Sequence, residues 1–76
     1  MEIVFSHHAL LKIKQRKIDR RLIISVVVNP DFCKLTYGFR EERYKVFGRK
    51  NLKVVIKKAS DMIMIITAHW VAKVKK

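Results

Sequence analysis

Acidic side chains are scarce in this sequence. Six Asp and Glu stand against eighteen Lys and Arg, a formal net charge of +12 over 76 residues. So short a chain has little interior in which to hide charge. Its surface is therefore strongly positive and calls for a polyanion: RNA, DNA, an anionic membrane surface or an acidic protein. The shortage is uneven. Residues 43–76 hold ten basic side chains and one acid, Asp61, whereas residues 1–42 hold eight basic and five acidic. Cysteine occurs once, at Cys33, which excludes an internal disulfide framework and fits a reducing cytosol. His7, His8, Cys33 and His69 follow no metal-ligand spacing, so neither a metal nor a cofactor is expected. Two Gly and one Pro leave no Gly-rich phosphate loop and no flexible linker, and there is no nucleophile elbow. No apolar run approaches ~20 residues, and the N-terminus lacks a long apolar stretch. Neither a membrane span nor secretion is expected, and a cytoplasmic location is.

Half of the residues are apolar, which excludes a disordered basic tail. The length fits a single domain, residues 1–76, with a small core. Glu2 to Phe5 reads as a short extended start, and Ser6 as the N-cap of a helix running to about Lys17. Ala9, Leu10 and Ile13 share one arc of that helix, and His8, Lys12 and Arg16 stack at spacing four beside it. The run from Leu22 to Val28 is rich in β-branched residues and suits a strand, but Asp19 as cap and Asn29-Pro30 as stop favour a second helix.

After Pro30 the pattern becomes extended. Phe32 to Tyr37, closed by Gly38, is the first strand expected, and Glu41 to Phe47 the second. Gly48 to Asn51 is a turn, Leu52 to Lys58 a third strand, and Ala59-Ser60-Asp61 another turn. Met62 to Ala68 is apolar on both faces and reads as a central strand. Short turns imply an antiparallel meander. The expected fold is α+β: two N-terminal helices packed on an antiparallel meander sheet of about four strands.

Three constellations bear on chemistry. The stripe His8, Lys12, Arg16 is either a solvated helix face or a row of phosphate donors with one imidazole among them. Arg43, Lys45, Lys53 and Lys57 alternate along adjacent strands and are expected to share the sheet face opposite the helices, as a polyanion-binding patch. Tyr44, one residue out of phase, is expected to point toward the core instead. His69-Trp70 ends the last strand. Trp70 either stacks on a base or anchors the core, and His69 is an acid or base candidate or merely exposed. Glu41 and Glu42 fall on opposite faces of a strand, which disfavours chemistry by paired carboxylates.

The run Ser6-x-His8-Ala9, Lys12, Arg16, Ile18, then Asn29-Pro30, Tyr44-Lys45-Val46, Leu52-Lys53-Val54-Val55 and Ile66-Thr67 resembles the family called domain of unknown function 4258. The likeness covers nearly the whole chain. It departs at Lys12, where that family usually carries Arg, and at Lys17, where it often carries Gly. The family looks like a compact relative of the RelE and BrnT type toxins, ribonucleases with a barnase-like sheet packed against N-terminal helices. The resemblance thus implies a toxin of a toxin–antitoxin pair that cuts messenger RNA, free or on the ribosome, under an acidic antitoxin.

For such chemistry RNA supplies its own nucleophile, the 2′-hydroxyl, and no metal is required. The expected acid and base are His8 and His69, or a Lys in place of one. Arg16, Arg43 and Lys45 are expected to stabilise charge, and Lys12, Tyr44, Lys53, Lys57 and Trp70 to hold the RNA. The alternative is a non-catalytic basic nucleic-acid-binding module, or a docking protein for an acidic partner.

Overall fold

Ser6 and Asp19 both cap helices. In the computed structural model, which describes residues 2–72, the Ser6 hydroxyl accepts from the Ala9 amide at 3.0 Å. That bond opens α1 (His7–Arg16). The Asp19 carboxylate accepts from the Arg21 amide at 2.8 Å and opens α2 (Arg20–Val28). Each cap satisfies one of the four amide donors that a helix start leaves free. α1 buries Ala9 and Ile13, whereas Leu10, expected on the same arc, is exposed, and α2 buries Ile23, Val26 and Val27. The β-branched run is thus a helix, cooperative with its cap and its tertiary contacts.

α1 ends at Lys17, whose backbone is left-handed (φ 54°, ψ 45°) and whose amide donates to the Ile13 and Lys14 carbonyls. A side chain pays a steric penalty there that glycine does not. Lys17→Gly is expected to raise stability by ~0.5–1 kcal/mol, a shift of a few degrees in thermal midpoint. An unchanged or lowered midpoint would refute that account of the turn.

The strands are β1 (Glu2–Phe5), β2 (Phe32–Leu35), β3 (Arg40–Phe47), β4 (Lys50–Ala59) and β5 (Met62–Ala72). They form one sheet in the order β1-β5-β4-β3-β2. β2 to β5 make the expected antiparallel meander, with two-residue turns at Gly48-Arg49 and Ser60-Asp61. The expectation of about four antiparallel strands is corrected in one respect. The sheet has five and is mixed, because β1 pairs parallel to β5, Glu2 opposite Met62 and Phe5 opposite Ile65. The chain leaves β1, forms both helices, enters the sheet at its far edge and returns strand by strand to β1.

Both helices cover one face of the sheet. Ala9, Ile13, Ile18, Ile23, Val26 and Val27 meet Leu52, Val54, Ile56, Ile63, Ile65 and Ala68 in a single core. β4 lies at the centre of the sheet, and its core-facing residues Leu52, Val54 and Ile56 are fully buried. Asn51 is 1% exposed, and its amide finds no hydrogen-bond partner among the described residues, a local cost borne by the packing around it. No helix among the described residues is long and apolar enough to cross a membrane.

Candidate nucleic-acid interface

One residue decides which side chains leave the core. Between Val55–Thr67 and Ile56–Ile65 the register of β4 and β5 shifts, so Ile66 has no partner on β4. Such a bulge inverts the alternation of every residue beyond it. Before it, odd-numbered residues of β5 face the helices: Ile63 and Ile65. After it, even-numbered ones do: Ala68 and Trp70. His69 and Thr67 are thereby turned to the open face of the sheet.

There His69 lies directly opposite Lys53, and Lys53 directly opposite Tyr44 on β3. The Lys53 ammonium sits 3.3 Å from Glu42, and the Tyr44 hydroxyl donates to the same carboxylate at 2.7 Å. Tyr44 is itself fixed by parallel stacking on Phe32 at 4.6 Å. Burial pushes the Tyr44 hydroxyl up to about 12, with the Glu42 bond and charge adding to it. It therefore stays protonated and acts as a donor. Burial alone would raise the Glu42 carboxyl, but the bonds from Tyr44 and Lys53 outweigh it and the carboxyl falls below its usual value. Burial, then the charges of Lys53 and Arg16, hold His69 below the ordinary imidazole value, against a smaller opposing pull from Glu42. The imidazole is thus neutral at neutral pH, next to a cation.

Arg16 reaches this face from α1. β1 ends opposite Ile65, so the outer edge of β5 beyond that residue lacks a strand among the described residues. Ser6 donates to the Ile65 carbonyl through its amide and to the Ile66 carbonyl through its hydroxyl, at 3.0 and 3.4 Å. One nitrogen of Arg16 donates to the Ala68 carbonyl at 2.8 Å and to the Thr67 hydroxyl at 3.3 Å. The other two guanidinium nitrogens make no bond among the described residues, and the residue is exposed. Arg16 therefore closes a sheet edge with one arm and offers donors with the rest.

The expected four-residue basic patch does not form. Arg43 lies opposite Val54 and Lys45 opposite Leu52, on the helix side, while Lys53 and Lys57 lie on the open side. The reason is cross-strand pairing: residues directly opposite share a face, and Val54 and Leu52 are core. Arg43 donates to the Val27 carbonyl and pairs with Glu41, and Lys45 donates to the Asn29 carbonyl at 2.9 Å. Both cations thus serve the carbonyl end of α2, where the helix dipole favours positive charge. β4 stands between them and β5, so they do not converge with Arg16. Glu41 and Glu42 do face opposite sides, as expected.

Trp70 packs against the core on the helix side, edge-on to Phe47 at 5.8 Å, with its back to His69. The His8 side chain is exposed in the first turn of α1 and makes no hydrogen bond or ion pair among the described residues; Lys12 lies one turn on, half-buried. Lys57 is exposed on the open face, opposite Arg40. Sequence reasoning misses Glu42 and Thr67. For Glu42 the available signal is its spacing of two from Tyr44, which puts both on one face of a strand. Among the described residues no group of His, Cys, Asp and Glu is placed to hold a metal ion.

The family model described as domain of unknown function (DUF4258) matches residues 5–70. No curated protein and no solved structure matches the chain.

Proposed function

The chain belongs to the domain of unknown function 4258 family, and from that premise we propose that its open sheet face binds RNA and cuts it without a metal. One observation carries this reading. A neutral-leaning imidazole, an ammonium and a guanidinium, from His69, Lys53 and Arg16, meet on one solvent-facing surface. These groups are the ones that 2′-hydroxyl chemistry uses. His69 takes the proton from the 2′-hydroxyl. The 2′-oxygen forms its bond to phosphorus, and the bond to the 5′-oxygen breaks. Arg16 and Lys53 stabilise the charge that gathers on the non-bridging oxygens. Lys53 then gives a proton to the leaving 5′-oxygen. The products are a cyclic phosphate and a free 5′-hydroxyl.

Glu42 and Tyr44 are positioning residues in this scheme. The carboxylate holds the Lys53 ammonium beside His69, and the tyrosine holds the carboxylate. In a cell such an activity needs a mask, and a toxin kept under an acidic antitoxin that covers the cationic face fits the +12 charge.

The test is digestion of single-stranded RNA by purified protein in excess EDTA. Cleavage with cyclic phosphate ends is expected. Cutting that requires a divalent ion would overturn the metal-free scheme, and binding without cutting would leave a non-catalytic RNA-binding module.

A further inference from the structure

The hairpin between β2 and β3 exposes an unusual set of side chains. Leu35 is 81% exposed, Tyr37 93% and Phe39 90%. The tip is a tight turn at Tyr37–Phe39, closed by the Thr36 amide donating to the Arg40 carbonyl at 3.0 Å. Gly38 and Phe39 both have positive φ, 68° and 61°. For Gly38 this is free, but for an aromatic residue it is strained. The core gains nothing from that strain, since the Phe39 ring stands in solvent.

The tip is not isolated from the cationic face. Lys34, Leu35, Thr36, Tyr37 and Glu42 line a shallow hollow of about 560 Å³. Glu42 is the carboxylate that holds Lys53, so the aromatic tip and the proposed cutting site share one wall. Lys34, opposite Glu42, and Arg40, opposite Lys57, lie on the open side at the two ends of this turn and form no salt bridge among the described residues.

We propose that Tyr37 and Phe39 are a stacking platform for unpaired bases of the RNA strand that the open face holds. This inference rests on the RNA reading above. Exposed aromatic rings next in sequence to cations of the open side suit a base followed by its phosphate. They suit a protein partner less well, because three apolar side chains make too small a patch to hold a stable interface without the surrounding charge. Stacking makes the site selective for single strands, whose bases are free to turn outward, and indifferent to which base is presented.

The experiment compares two eight-nucleotide strands of 2′-O-methyl RNA, which cannot be cut: oligouridine and its abasic counterpart of equal charge. Wild-type protein is expected to bind the base-bearing strand about 10-fold or more tightly than the abasic one. Tyr37→Ala/Phe39→Ala should bind both strands alike, at the wild-type affinity for the abasic strand. Tyr37→Phe, which keeps the ring, should retain the preference. Should the double variant fold poorly, the single variant Tyr37→Ala, which keeps the Phe39 ring, should lower the preference in part, and an undiminished preference in it counts against the platform. A variant lacking both rings that still prefers the base-bearing strand overturns the platform and leaves the RNA reading standing. Wild-type protein that binds neither strand overturns both. Loss of a bound protein partner from the double variant, with RNA binding unchanged, overturns the platform in favour of a docking surface.

Discussion

His69→Ala is expected to slow RNA cleavage by ~10²- to 10⁴-fold while leaving the fold in place. The side chain is on the open face, and the neighbouring core contacts come from Ala68 and Trp70, which the substitution spares. RNA binding should fall far less than the rate, because Arg16, Lys53 and Lys57 still hold positive charge at the open face. Lys53→Ala should lose rate as well, and it also releases His69 from a repelling charge. The imidazole of that variant therefore titrates closer to its ordinary value.

The pH profile follows with a definite sign. A base must be unprotonated, so the acid limb of the rate should lie below the ordinary imidazole value of ~6.5. Stability moves the same way. In the unfolded chain His69 takes up its proton at the ordinary value, and in the folded protein only at a lower pH. Its contribution is complete above the ordinary value and is lost as pH falls toward and through the lowered one. His8→Ala, measured beside these variants, assigns the acid. A wild-type rate leaves Lys53 as the donor, and a loss comparable to that of His69→Ala gives the role to His8. Cleavage by His69→Ala at the wild-type rate would remove the catalytic reading of this face.

What could be read from the chain divides by the range of the interaction involved. Caps are local: Ser6 and Asp19 bond to amides two or three residues on, so both helix starts are legible. The meander is nearly as legible, because Gly48 and Ser60 turn the chain tightly between neighbouring strands. The pairing of β1 with β5 is not, since four residues must find a partner sixty positions away. Nor is the bulge. Ile63, Ile65, Thr67 and His69 alternate as one face of an unbroken strand, and only the pairing with β4 shows that Ile66 is extra. That one residue exchanges the fates of His69 and Trp70. The placement of Arg43 was within reach. A turn of two residues or of four after Phe47 both set it opposite an even-numbered, core-facing residue of β4. The alternation within β3 points the other way, because Tyr44 and Val46, two of its three apolar members, lie on the open face, and only Phe47 joins the core side. Tyr44 is buried there by Phe32 rather than by the core.

Affinity for RNA is expected to collapse with salt, and the slope to report which cations take part. Arg16, Lys34, Arg40, Lys53 and Lys57 reach the open face, with Lys12 on the same helix stripe as Arg16. If about six phosphates of a single strand are neutralised, log affinity should fall against log salt with a slope of about −4, roughly 300-fold between about 50 and 200 mM. Removing one contacting cation should flatten that slope by about 0.7. Lys53→Ala and Lys57→Ala should each do so. Lys45→Ala should not, because its ammonium is turned to the far side of the sheet and bound to the Asn29 carbonyl. Its effect should appear in the thermal midpoint instead, as the carbonyl end of α2 loses a cation. Arg16→Ala should show in both measurements, since the residue closes the β5 edge and its free donors are exposed at the open face. Arg16→Lys restores the charge but not the fork, so it should recover the slope more fully than the stability. Binding measured by anisotropy across a salt series, with each variant's midpoint alongside, decides the matter. Equal flattening by Lys45→Ala and Lys53→Ala would mean that RNA does not distinguish the two faces of the sheet, and the open face would lose its claim to be the binding surface.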